Sequence, residues 1–218
     1  MERDFLVDMT VGVDVRNAVR PFQRKAQADF LASSSSFLKT VSGKVIKFLD
    51  FSVEDVILGD IAHGLSHVCR YGGQCSRFYS VAEHSVLVSK FVEHICVTRE
   101  ILIPGIIVSG LLHDSPEAYL GDMTTPLKVL CPGYQLIESH FADVCQKAFG
   151  VHARFDHPII KQCDFEMYLR ERTFLMPGEG PPVDDELSSL LEVRFLTPDA
   201  AKKAFLERAE ELGLSRAA

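Results

Sequence analysis

Four ionisable residues stand where the chain should be building core. His84 lies among Val81, Val88 and Phe91, and His113-Asp114 follow Leu111-Leu112 in the most apolar part of the sequence. Asp164 falls between Ile160 and Tyr168. Burying an unpaired charge is expensive, so such groups need partners or a purpose. Singly, each has an ordinary explanation: a core histidine bonded to a carbonyl, or an aspartate paired with a lysine. Together, two imidazoles and two carboxylates make the mixed nitrogen and oxygen set that suits one divalent transition metal. One cation would offset the desolvation of both carboxylates. Four protein donors around an ion of octahedral type leave positions for water and a substrate oxygen, which is what catalysis requires.

Further reactive residues cluster around this set. Glu117 is four residues past His113, one helical turn along the same face, where it can address an attacking water or a leaving group. Asp122, after Gly121, leads into a loop close by, and Lys128 supplies a charge of the kind that grips phosphate. Upstream, Cys69-Arg70-Tyr71-Gly72-Gly73-Gln74 offers a guanidinium, an aromatic ring and two glycines. That run reads as phosphate contact, sugar or base packing and close backbone approach; its ordinary alternative is a solvated turn.

Helices must position most of these groups. Val81, His84, Val88, Phe91 and Ile95 recur at spacings of 3, 4, 3 and 4, which predicts a helix over 80–97. Ile106, Gly110, His113 and Glu117 recur at 4, 3 and 4 and predict one stripe over 105–119. His113 and Asp114 are neighbours and splay by about 100° on a helix, so both reach one ion only beside a bend or a helix end, which Ser115-Pro116 would supply. Further helices are expected over 135–149, over 158–175 with Pro158 in its first turn, and from about 199 to 212 after Thr197-Pro198. Before them, alternating apolar residues on either side of Ser42-Gly43 suggest a small hairpin. Residues 1–34 carry charges without sustained periodicity, lead into serines 33–36, and read as an N-terminal arm, partly helical over 15–31. The expected organisation is that arm followed by one mostly α-helical domain over 35–218.

Composition narrows the function classes. The chain has 218 residues, 47% hydrophobic and 24% charged, which is ordinary for a globular protein. Its net charge of −7 disfavours holding duplex nucleic acid by its phosphates. The longest apolar stretch, Ile101 to Leu112, is broken by Pro104, Gly105 and Gly110 and is too short to span a bilayer. No basic segment leads into a long apolar one at the N-terminus, so a cytoplasmic protein is expected. Six cysteines without a CxxC pair argue against a zinc ribbon or thioredoxin-type site and for reduced structural thiols.

The run His113-Asp114-Ser115-Pro116-Glu117-Ala118-Tyr119-Leu120-Gly121-Asp122-Met123-Thr124-Thr125-Pro126-Leu127-Lys128, with Ala82-Glu83-His84-Ser85 before it and Cys163-Asp164 after it, resembles the HD-domain phosphohydrolases. Their metal set is H…HD…D. Similarity to the small YfbR/YfdR-type 5′-nucleotidases begins near Phe37-Leu38-Lys39-Thr40-Val41-Ser42-Gly43-Lys44 and runs to about residue 175. Within that group the chain looks most like the phage dATP triphosphohydrolases, which remove dATP and its lower phosphates so that 2-aminoadenine can replace adenine. The resemblance implies an all-α HD-domain helical bundle with a small N-terminal β-hairpin. It implies His84, His113, Asp114 and Asp164 as ligands of one Zn, Co or Mn ion, with room for a second ion arriving with the substrate phosphates. It implies Glu117 and Asp122 for proton handling, and Arg70, Tyr71, Gly73 and Lys128 for a deoxynucleotide. Tyr71 stands where nucleotidase relatives often carry tryptophan, and Gly73 where an adenine-selective relative has a bulkier residue, so looser base selectivity is expected. No membrane partner is implied, a homo-oligomer is allowed, and a phage-encoded protein would work in the host cytoplasm. A broader 5′-deoxynucleotidase acting on monophosphates is the near alternative. A dinuclear phosphodiesterase or oxygenase is the more distant one, since it would recruit histidines such as His140, His152 or His157.

Overall fold

The computed structural model describes residues 37–180 and 184–214. The expected arm and its helical stretch lie outside those residues, and the elements below belong to the unit Leu38–Ala218, the first strand starting one residue before it. Strands β1 (Phe37–Lys39) and β2 (Val45–Lys47) form the expected two-stranded hairpin, closed where Thr40 N–H donates to Lys44 O at 2.9 Å. Its turn is fastened to the bundle: Ser42 donates its backbone N–H and its hydroxyl to the buried Asp60 carboxylate at 3.0 and 2.8 Å. Among the described residues the remaining regular structure is helical, apart from one isolated antiparallel bridge between Cys69 and Ser80. The all-α class with a small hairpin is what the structure has.

Helix α1 (Leu58–His67) buries Leu58, Ile61, Ala62 and Leu65, the 3,4-spaced face of its sequence. Helix α2 (Val81–Thr98) is the centre of the bundle and is buried on every side from Val81 to Ser89. The hydroxyl of Ser80 caps it by accepting Glu83 N–H at 3.2 Å. Glu83 does not complete a capping box. Its carboxylate instead accepts the N–H groups of Arg194, Phe195 and Leu196 at 2.6, 3.1 and 2.8 Å, which satisfies a buried charge and ties down the last connection.

The stripe over 105–119 is not one helix. It divides into α3 (Ile106–Leu112) and α4 (Glu117–Leu120), with the turn 113–116 between them. Through that turn Ser115, Glu117 and Ala118 donate to the carbonyls three residues back, a tighter winding than the α-helix. Pro116 has no N–H to give, so the wider ladder could not have continued through it. A short α5 (Thr125–Leu130), absent from the periodicity, carries Lys128. Helices α6 (Pro132–Ala148), α7 (Pro158–Leu175) and α8 (Pro198–Glu211) each begin on a proline, whose fixed φ suits a first helical position and whose missing N–H costs nothing there.

Two apolar clusters meet at α2. One joins Ile61 and Leu65 of α1 with Leu111, Phe141 and Phe205. In it Phe51 stacks on Phe141 at 3.9 Å between ring centres, with the Tyr119 ring 5.2 Å from Phe51, which fixes α4 against α6. The other joins Val88, Phe91 and Val92 of α2 with Ile106, Ile160, Cys163 and Met167. Full burial of one such side chain is worth roughly 1.5–3 kcal/mol. The expected ionisable groups emerge at the seam between these clusters. All six cysteines are free thiols, and among the described residues no helix is long and apolar enough to cross a membrane.

Candidate metal centre and catalytic cleft

Three elements bring the four expected ligands together: α2 carries His84, the turn after α3 carries His113 and Asp114, and α7 carries Asp164. Nε2 of His84 stands 3.0 Å from Oδ1 of Asp164 and 3.7 Å from Oδ2 of Asp114. Nε2 of His113 stands 3.2 Å from Asp114 Oδ2 and 4.0 Å from Asp164 Oδ1. Among the described residues, the donors of His84, His113 and Asp164 lie within 4.8 Å of one another, a grouping that could hold a metal ion. Ions of this class bind nitrogen and oxygen at about 2.0–2.2 Å, so donors sharing one ion stand roughly 3–4 Å apart.

The orientation of the imidazoles is the stronger test of fit. Nδ1 of His84 is bonded to the Glu171 carboxylate at 2.5 Å, and Nδ1 of His113 to the Gly110 carbonyl at 2.9 Å. Both inward faces are therefore committed as donors, and both Nε2 atoms are turned to the carboxylates. Each Nε2 is buried and without a hydrogen bond. A neutral imidazole so held points a lone pair at a carboxylate, which is repulsive unless a proton or a cation lies between. Both imidazoles have raised pKa values, which favours a proton in that place when no cation is bound. Burial opposes the charge on His84, as does Arg70, but Glu171 and Asp164 outweigh them and hold its pKa at about 9. Burial likewise opposes charge on Asp114, yet His113, His84 and Arg70 keep its pKa well below the usual carboxylate range. The residues fit a divalent cation.

Glu117 opens α4 beside this group, with its Oε2 buried and unbonded. Burial pushes its carboxyl well above the ordinary range, and Asp114 and Asp122 add to the effect. Asp122 is raised as well, by burial first and by Asp114, against Arg70. The bend at 113–116 lets His113 and Asp114 face the same site, as their adjacency required. Lys128 stands 4.0 Å from Glu117 but is bonded to Glu138 at 2.6 Å. Glu117, Lys128 and Glu138 line a cleft of about 350 Å³ that runs past His113, Asp114 and Asp164 toward Phe155 and Lys161.

The 70–73 segment reaches this group through Arg70 and Tyr71. Arg70 donates from Nε to Glu171 at 3.1 Å and brings Nη1 to 3.7 Å from Asp114. Tyr71 donates its hydroxyl to Glu171 at 3.0 Å and stacks on Tyr168 at 6.1 Å. Gly73 is exposed, has φ +75°, and a Cβ there would meet nothing within 4 Å. Its glycine answers to backbone conformation, since side chains rarely accept that φ. Of the histidines that a dinuclear centre would have recruited, His140 bonds the Phe51 carbonyl and His157 caps α7.

Two residues of the site escaped the sequence. Glu171 is fully buried yet accepts from four side chains; it lies seven residues past Asp164, two turns along one face, and that spacing was the available signal. Glu138, which engages Lys128, left no such signal.

No family model matches the chain. It is 34% identical over 181 residues to the uncharacterized protein YfdR of Escherichia coli (strain K12), an alignment covering 81% of this chain and 96% of that one. It is 37% identical over 128 residues to an uncharacterized protein of Rhodobacter capsulatus, covering 56% of this chain and 62% of that one.

Proposed function

This chain belongs to the YfdR family, and from that premise we propose that it is an HD-domain phosphohydrolase that uses one divalent metal to hydrolyse 5′-deoxynucleotides, dATP foremost, with residues 35–218 as the catalytic domain. The observation that carries the reading is the pair of buried imidazoles whose Nε2 atoms face two carboxylates with no hydrogen bond. In this reading His84, His113, Asp114 and Asp164 hold the ion, which supplies Lewis-acid activation of water and of a phosphoryl oxygen.

The chain's own residues account for the rest. Arg70 and Lys128 neutralise the phosphate charge as the bond to the 5′ oxygen breaks. Hydrolysis at that phosphorus needs one proton removed from the attacking water and one delivered to the leaving oxygen. We assign these roles to Glu117 and Asp122, whose carboxyls burial raises above the ordinary range and so toward the working pH at which proton transfer is most effective. The Tyr71 ring packs against the sugar and disfavours a 2′ hydroxyl. With no side chain at Gly73, purine deoxynucleotides besides dATP are accepted to a lesser degree.

The test is hydrolysis of all dNTPs, NTPs and monophosphates with Mn²⁺, Co²⁺ or Zn²⁺, products separated by chromatography, beside Asp164→Ala. Deoxyadenosine formed fastest from dATP is expected, with Asp164→Ala inactive and depleted of metal. Metal-loaded wild type that frees a nucleoside from no nucleotide would overturn the reading.

A further inference from the structure

We propose that Glu171 is a positioning residue that couples the metal centre to the Arg70–Tyr71 segment, so that each site sets the order of the other. This deepens the reading above, and the coupling itself is a matter of metal binding, independent of which substrate is cut. Glu171 has no exposed surface. Its Oε1 accepts His84 Nδ1–H at 2.5 Å and the Tyr79 hydroxyl at 2.9 Å. Its Oε2 accepts Arg70 Nε–H at 3.1 Å and the Tyr71 hydroxyl at 3.0 Å. One carboxylate thus has its four acceptor sites filled by groups from two sides: the imidazole that faces Asp164, and the turn that would face substrate.

Both sides depend on it. An imidazole whose Nδ1–H is held by a carboxylate is fixed in tautomer and orientation and is a stronger donor to a metal at its other nitrogen. Tyr71 sits at φ +59°, a left-handed conformation that a bulky residue keeps only when its surroundings hold it. Its restraints are the bond to Glu171, the stack on Tyr168 and the Arg70 guanidinium 5.5 Å from its ring centre. Arg70 itself is held by Glu171. Loosening either end leaves the buried charge short of a donor and loads the other end, and such coupling between sites is reciprocal.

Glutamine at this position cannot serve both ends. Its oxygen accepts from one pair of groups, and its NH₂ group meets the other pair, where it opposes the His84 or Arg70 N–H donor to donor and is met only by a tyrosine hydroxyl turned acceptor. The experiment is calorimetric titration of Mn²⁺ into metal-free wild type, Glu171→Gln, Tyr71→Phe and the double variant, with far-UV circular dichroism as the check on folding. Glu171→Gln should weaken metal binding about 10- to 100-fold. Tyr71→Phe, which removes a hydroxyl that touches no metal donor, should weaken it at least about twofold. The double variant should bind no more weakly than Glu171→Gln, because the phenol acts through the carboxylate. Wild-type metal affinity in Tyr71→Phe, or losses that multiply in the double variant, would overturn the coupling. Should Glu171→Gln not fold, Tyr71→Phe decides alone. A wild type that binds Mn²⁺ with this pattern but hydrolyses no nucleotide supports the coupling and sinks only the substrate reading. Wild type without metal affinity overturns both.

Discussion

Gly64 of α1 lies against Ala118 of α4 so closely that a Cβ on Gly64 would stand 2.5 Å from the Ala118 carbonyl oxygen. The obstacle is backbone, not the end of a flexible chain, so α4 would have to move. Ala118 follows Glu117, and the contact therefore sets where the Glu117 carboxyl stands. Gly64→Ala should lower stability by about 1–3 kcal/mol through overpacking. It should lower turnover further than lost folded protein explains, while metal content per folded chain falls little. Thermal melting and turnover per bound metal check this; unchanged values for both would mean that α1 does not position α4.

The metal-free protein should lose stability as pH rises. His84 has its folded pKa raised from 6.5 to about 9 by Glu171 and Asp164 against burial. A raised pKa contributes stability that is fully present below 6.5 and is lost as pH climbs through 9. The melting temperature of metal-free protein should fall across that window, and the metal-loaded protein should fall less, because the cation takes the proton's place. For the same reason metal affinity should rise with pH and binding should release protons. Affinity independent of pH between 6.5 and 9 would contradict the assignment of His84 as a ligand.

Much of this was legible beforehand for reasons that can be named. Helices α2, α7 and α8 show in sequence because their apolar stripes are long and their starts carry Ser80, Pro158 and Thr197-Pro198. The break between α3 and α4 is hidden because the 3,4 spacing of Ile106, Gly110, His113 and Glu117 continues across it, and Pro116 is tolerable in a first turn. Helix α5 has six residues, too few to show a period. Metal candidates stood out as polar residues on apolar stripes. Glu171 did not, because what makes it notable is its partners, 87 to 101 residues away in sequence. The pairing of Lys128 with Glu138 is likewise a contact between two helices, one of them unforeseen.

Glu117→Gln should separate chemistry from binding. The amide keeps the size of the side chain but cannot carry the proton. A loss of roughly 10²- to 10⁴-fold in kcat is expected, with metal content and nucleotide affinity near wild type. Single-turnover rates with metal analysis check this. A metal-free Glu117→Gln protein would show instead that Glu117 is a ligand.

The pairing of Lys128 with Glu138 yields opposite outcomes from its two halves. Burial works against the charge on Lys128, but Glu138 at 2.6 Å outweighs it, so the lysine stays cationic in the cleft. Its ammonium then has one strong partner already, and an incoming phosphate must share or displace it. Lys128→Ala removes a charge-assisted contact of about 1.5–3 kcal/mol, so kcat/KM should fall about 10- to 150-fold, equally for every base. Glu138→Gln removes the competing carboxylate and leaves Lys128 free for phosphate. KM should fall severalfold with kcat little changed, and more for triphosphates, which carry more charge, than for monophosphates. Steady-state kinetics on dATP and dAMP at two salt concentrations decide the matter, because a contact between charges weakens with salt. If Glu138→Gln raised KM instead, Glu138 would be holding Lys128 in position for the phosphate, and the two residues would act as one unit.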